Sequence, residues 1–205
     1  TIAKPQIGQE EKNAVMDVMG SGMIACGSVV AEFEQKFADY EGMKYGIATT
    51  SGTTALEVAL RALGIGAGDK VVTTAYSFIA STNSIVYTGA TPIFADIDKG
   101  TFDIDIDSAE ECLKANPDAK ALLVVHLFGQ TCNMDAVMAL AKKYDVKVIE
   151  DCAQAHGAMW KGRMAGSFGD ASTFSFYPTK NMTTGEGGMV LTNDEKVAEQ
   201  AKLLI

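Results

Sequence analysis

The chain has 205 residues, 47% hydrophobic and 21% charged, with 17 basic against 26 acidic side chains for a net charge of −9. That is enough for one domain with a sizeable core. An acidic balance without a basic stripe argues against nucleic acid and anionic membranes as partners. No apolar run approaches the roughly 18 residues of a membrane span, and Thr1-Ile-Ala-Lys-Pro lacks the apolar core of a secretion signal. Cys26, Cys112, Cys132 and Cys152 form no C-x-x-C pair, and two histidines offer little for a metal. The cysteines read as free buried thiols of a cytoplasmic protein.

Residues 1 to about 40 read as an N-terminal helical segment, with one helix over 9–19, a break at Gly20-Ser-Gly, and a second over 29–40. In that second helix Val30, Phe33, Phe37 and Tyr40 recur at helical spacing. From residue 44 the pattern changes to short β-rich runs alternating with helices. Strands are expected over 44–49, 70–74, 91–96, 121–126, 146–150, 171–177 and 189–191. Helices are expected over 52–63, 79–87, 107–115 and 134–144. The alternation predicts an α/β fold: a mostly parallel sheet with helices on both faces, spanning 41–205. Asn193 is placed to cap a last helix with Val197, Ala201 and Leu204 on one face. That helix reaches Ile205 without a stop signal, which predicts that the sequence belongs to a longer chain.

In open α/β sheets ligands bind beyond the carboxyl ends of the strands, and three such ends carry informative residues. Thr49-Thr50-Ser51-Gly52-Thr53-Thr54 offers hydroxyls and free N–H groups at a helix start, which suit a phosphate or simply an N-cap. Glu150-Asp151 closes an apolar strand, where a carboxylate needs a cation, a protonated nitrogen or nearby backbone donors. Lys180 follows Pro178, which cannot donate to a ladder, and stands before Gly187-Gly188, with Ser175 on the preceding strand. Alone, a loop lysine is ordinarily a solvated charge. Together, a phosphate cradle, an acid and an amine on one rim meet the three needs of pyridoxal phosphate (PLP).

These motifs resemble the DegT/StrS family of sugar-nucleotide aminotransferases, PLP enzymes with the aspartate-aminotransferase-like fold. The likeness is carried by Ser51-Gly-Thr-Thr-Ala-Leu, Gly66-Ala-Gly-Asp, Thr88-Gly-Ala-Thr-Pro, His126-Leu-Phe-Gly-Gln and Glu150-Asp-Cys-Ala-Gln-Ala-His-Gly. Gly166-Ser-Phe-Gly-Asp, Ser175-Phe-Tyr-Pro-Thr-Lys-Asn and Gly185-Glu-Gly-Gly complete it. The resemblance implies that Lys180 binds the cofactor aldehyde, that Asp151 faces the pyridine nitrogen, and that Gly52, Thr53 and Ser175 hold the phosphate. It also implies that Phe78 stacks on the ring and that Gln154 lies near the phenolic oxygen. The implied reaction moves an amino group from an amino acid, L-glutamate, to a nucleotide-linked keto sugar, in a homodimer. Family members continue into a second, smaller domain that completes the substrate pocket. Thr54 departs from the family's usual alanine.

Two other readings keep the fold. Related sugar dehydratases carry histidine where Lys180 stands, so Lys180 counts against that chemistry. A non-catalytic relative or cofactor-binding fragment is the other. A dinucleotide binder is disfavoured because no G-x-G-x-x-G follows the first strand of the alternating region. His126 and His156, with small or apolar neighbours, read as structural or substrate-orienting groups.

Overall fold

A computed structural model of the chain describes residues 4–205; Thr1–Ala3, the start of the expected N-terminal segment, lie outside the described residues. Helix α1 spans Gln9–Ser21 and α2 Ser28–Glu41, each closed by a left-handed glycine, Gly22 and Gly42. The alternating region then runs β1 (Tyr45–Thr49), α3 (Gly52–Ala62), β2 (Lys70–Thr74), α4 (Ile79–Thr88), β3 (Thr91–Ala95), α5 (Ile106–Ala115) and β4 (Ala119–Val125). It continues with α6 (Met134–Tyr144), β5 (Lys147–Asp151), the short β6 (Met159–Trp160) and β7 (Arg163–Met164), β8 (Ala171–Ser175), β9 (Gly188–Thr192) and α7 (Glu195–Leu203). Every expected element is present, with ends moved by at most two residues.

Seven strands form one sheet in the order β1-β9-β8-β5-β4-β2-β3. The run from β8 to β3 is parallel, while β9 lies antiparallel between β1 and β8. Side chains alternate across the sheet as the pleat requires. On β4, Leu122 and Val124 join one core with α5 and α6, while Ala121, Leu123 and Val125 join another with α3 and α4. Nearer β1 the same division holds. Phe37 of α2 packs with Phe174, Met189 and Leu191 on the first face, and Ala198 and Ala201 of α7 meet Ile47 and Val190 on the second. Helices α2, α5 and α6 thus cover one face, and α3, α4 and α7 the other. Helix α1 buries no residue.

Four details differ from the sequence reading. Asp194, not Asn193, caps α7, its Oδ1 accepting the Lys196 N–H at 2.8 Å; Asn193 Oδ1 instead accepts the Lys44 N–H at 2.9 Å, tying the entry of β1 to the exit of β9. β8 ends at Ser175 because the chain there turns into a connection to its antiparallel neighbour. All four cysteines are free, but only Cys132 and Cys152 are buried; Cys26 lies exposed between α1 and α2, where no core covers it. The β6–β7 hairpin gave no legible run: each strand has two residues, joined by Lys161 and Gly162, both at positive φ.

One buried charge site stands out. Glu41, at the end of α2, is 0% exposed, and neither carboxyl oxygen makes a well-formed hydrogen bond. Burial raises its pKa to about 7, and the Gly157 amide offsets only part of that cost. His156, packed against Phe37, Phe174 and Phe176, is pushed the other way, to about 4, by burial first. A carboxyl raised in the folded state gives stability that is full below its unfolded pKa and drains as pH rises to 7. A base lowered in the folded state gives the opposite slope, between pH 4 and 6.5. The two oppose each other in acid, and only Glu41 acts near neutrality. Glu41→Gln should therefore gain roughly 1–3 kcal/mol over the wild type on going from pH 5 to pH 8. Urea denaturation at both pH values checks it; an equal difference at the two would show that Glu41 does not titrate in this way.

Candidate active site

A cleft of about 460 Å³ opens where the carboxyl ends of β4, β5 and β8 meet the start of α3. Gly52, Thr53, Phe78, Asp151, Gln154, Ser175 and Lys180 all line it. Leu56, Ala80, Val125 and Leu127 give it an apolar wall.

The α3 end is built by Ser51, the N-cap, whose Oγ accepts the Thr54 N–H at 3.1 Å while its carbonyl accepts that of Ala55 at 2.9 Å. The N–H groups of Gly52 and Thr53 in the first turn have no helical partner to bond, and so face a ligand position. The N-cap reading holds, and the first turn behind it lines the cleft with Gly52 and Thr53. Closeness is what requires glycine here. A Cβ on Gly52 would stand 2.6 Å from Ser175 Cβ, and one on Gly188 would stand 2.3 Å from the Ser51 carbonyl oxygen. β8, β9 and the turn into α3 are packed backbone to backbone, which brings Ser175 beside Gly52.

The two carboxylates ending β5 point to opposite faces and have different partners. Glu150, 0% exposed, accepts four donors: the Phe168 and Gly169 amides at 2.7 and 2.6 Å, the Gly166 amide at 2.8 Å and His126 Nε2 at 2.9 Å. His126 Nδ1 takes the Cys132 N–H at 3.1 Å, so the neutral ring carries its hydrogen on Nε2, toward Glu150. Among the described residues, donor atoms of His126, Glu150 and Cys152 come within 4.8 Å of one another. The hydrogen bonds already made by His126 and Glu150 make this a structural cluster and not an ion site. Glu150 thus has the backbone donors weighed for both acids. Asp151 alone reaches the cleft, 4% exposed, with Oδ2 accepting from Ser81 Oγ at 2.7 Å and Oδ1 from the Ala153 amide at 3.1 Å. Burial raises its pKa, while Ser81, the Ala153 amide and the charge of Lys180 pull it down.

Lys180 is half-buried in the β8–β9 connection, its N–H bonded to the Tyr177 carbonyl at 2.9 Å. The connection is stapled at its base, where the Phe176 N–H meets the Gly187 carbonyl at 2.9 Å and the Phe176 carbonyl accepts the Thr184 N–H at 3.0 Å. Asp151 and Glu186 are the other charged side chains on the cleft. Gln154 Oε1 accepts the Phe128 N–H at 2.7 Å. A backbone N–H can only donate, so this bond fixes the amide with its NH₂ group left to donate elsewhere. Phe78, at the start of α4, is 66% exposed at the cleft mouth. His126 is buried away from the cleft, and both His156 nitrogens lack partners. Sequence reasoning missed Ser77, Ser81 and Glu186. The serines' only signal was their spacing of four at a helix start.

A parallel α/β sheet carrying a lysine on the loop after one strand, an acid at the end of another and an anion-binding helix start is the fold of the PLP-dependent aminotransferases. The chain belongs to the DegT/DnrJ/EryC1/StrS aminotransferase family, which it matches over residues 5–205. It is 44% identical over 205 residues to GDP-perosamine synthase of Caulobacter vibrioides, covering 100% of this chain and 55% of that one. Its fold superposes on an aminotransferase from Psychrobacter cryohalolentis with a TM-score of 0.91 at 45% identity, covering 98% of this chain and 51% of that one. Spr1654 from Streptococcus pneumoniae in its PLP form gives a TM-score of 0.92 at 31% identity, over 98% and 56% of the two chains. The chain spans about half the length of these relatives.

The Gly52–Ser175 approach makes a sharp test. Gly52→Ala should displace Ser175 and weaken PLP binding by roughly tenfold or more, about 1.4 kcal/mol, with little change in far-UV circular dichroism. Calorimetric titration measures it; unchanged affinity would remove Gly52 and Ser175 from the phosphate site.

Proposed function

We propose that this chain is the cofactor-binding part of a PLP-dependent aminotransferase that moves an amino group from an amino acid, L-glutamate, to a nucleotide-linked keto sugar. The observation that carries the reading is the convergence of Lys180, Asp151 and the Gly52–Thr53–Ser175 cradle on one cleft. The resemblance to enzymes such as GDP-perosamine synthase supports the sugar-nucleotide acceptor. When bound, PLP supplies an aldehyde that condenses with amines and a ring that takes up the electrons released at the donor's α-carbon.

The protein's own groups then have distinct tasks. The Gly52 and Thr53 N–H groups and the Ser175 hydroxyl hold the phosphate dianion. Asp151 would serve the ring nitrogen and favour its protonated form, since a buried anion beside a cation stabilises both. Gln154, its carbonyl committed to Phe128, would have its NH₂ free to donate to the phenolic oxygen. Phe78 at the cleft mouth would pack on the ring, and Leu56 and Val125 keep water from the wall of the cleft. The Lys180 amine would hold the cofactor through its aldehyde and, as a free base, would carry the proton taken from the donor's α-carbon. The same reading makes the enzyme a cytoplasmic homodimer. The family resemblance supports the dimer and the four free cysteines support the compartment. No helix among the described residues is long and apolar enough to cross a membrane.

Borohydride reduction of the chain mixed with PLP should leave a covalent adduct on the Lys180 peptide, located by mass spectrometry. Lys180→Ala should lose that adduct and the accompanying visible absorbance. An adduct spread over surface lysines, or retained at full yield in Lys180→Ala, would sink the assignment.

A further inference from the structure

Helix α4 carries three buried hydroxyl residues, and they behave differently. Ser84 and Thr88 turn their hydroxyls back to carbonyls of their own helix, those of Ser81 and Ile85, at 3.0 and 2.7 Å. That is the usual habit of such side chains inside helices. Ser81, 0% exposed, instead reaches across to β5 and meets Asp151 Oδ2 at 2.7 Å, a length typical of a hydroxyl bonded to a charged oxygen. Behind it, Ser77 Oγ lies 2.8 Å from Ser81 Oγ, and Ser77 lines the cleft. Asp151 is therefore reached by a two-hydroxyl chain whose outer end returns to the cavity.

The direction of this chain follows from counting hydrogens. A hydroxyl has one hydrogen to give. While Asp151 is ionised it can only accept, so Ser81 gives its hydrogen to Asp151 and Ser77 gives its own to Ser81. Ser77 then presents lone pairs to the cleft. A protonated Asp151 could reverse both bonds and free a hydrogen at Ser77. An ionised Asp151 permits only the first direction, and the reversed one requires a protonated Asp151.

We propose that Ser81 is a positioning residue that keeps Asp151 ionised and aimed into the cleft, with Ser77 completing the chain that polarises it. The surroundings explain why such help is required. Asp151 is enclosed by β4, β5 and α4, and burial works against its charge. Lys180 on the β8–β9 connection is the titratable group whose charge assists it, while the neutral His126 at the end of β4 turns its hydrogen to Glu150. Glu150 and Cys152, its neighbours along the chain, stand in the separate cluster around His126. Ser81 is the one side-chain hydrogen bond to Asp151 among the described residues. It also occupies the first turn of α4, where the helix dipole favours an anion.

The value of an ionised Asp151 to the cofactor rests on the function proposed above, but the hold of Ser81 on Asp151 can be read without cofactor. The Asp151 carboxyl would be titrated by carbon-13 NMR in the cofactor-free chain and in Ser81→Ala, Ser81→Thr and Ser77→Ala. The midpoint should rise by about one unit or more in Ser81→Ala, by less in Ser77→Ala, and return to the wild-type position in Ser81→Thr, which restores the hydroxyl. The pH profile of PLP affinity should move with it, the acid limb of Ser81→Ala displaced upward by the same amount. An unmoved midpoint in Ser81→Ala, or affinity lowered equally at every pH, would reduce Ser81 to packing and overturn the proposal. A moved midpoint in chains that bind no PLP would uphold the Ser81–Asp151 link and reject the cofactor reading instead.

Discussion

A carboxylate in the middle of a protein must be surrounded by donors, and Glu150 meets that demand in a way that sets the site. Its two oxygens gather amides from Gly166, Phe168 and Gly169, together with the His126 ring. Those amides belong to the loop that feeds β8, so the position of β8 against β5 is fixed at its entry as well as along its ladder. Leaving such a group half-satisfied costs more than its bonds return. The loop therefore has one good arrangement. Ser175 at the far end of β8, and Lys180 just after it, take their places from an interaction on the other side of the sheet.

Neighbouring acids on one strand consequently have separate lives. Glu150 faces the loop and is consumed by structure, while Asp151 faces the cleft with a serine, one amide and the field of a lysine. The pleat does the sorting. An account that treated Glu150-Asp151 as one acidic feature would miss that only one of them is available for chemistry.

Most of the architecture was legible because its signals are local. The alternation of short β-rich runs with helices from residue 44 marked a mostly parallel sheet with two helical layers. The residues that line the cleft were legible for a related reason: all the expected ones but Phe78 stand in long motifs at or just past strand ends, where α/β folds place ligands. What stayed hidden depends on distant partners. Nothing in Gly188–Thr192 says that it runs between β8 and β1, since its place beside β1 follows from pairing over more than a hundred residues. Glu41 looks like any helix-end acid until Gly157 and its neighbours close over it. Ser81 looks like a helix serine until β5 is beside it.

The place of β9 has a consequence for how the protein is made. Among the described residues β1 has one ladder partner, β9, from Tyr45 opposite Thr192 to Thr49 opposite Gly188. On the ribosome, β1 emerges early and stays unpaired until almost the whole described chain has followed it. The turn holding Gly52 is pressed into shape by Gly188 and Ser175, both of which come late. Translation must therefore pass Thr192 before the cleft can exist, and long-range closure of this kind is slow and leaves an open strand edge meanwhile. The nascent chain depends on β9 to shield β1.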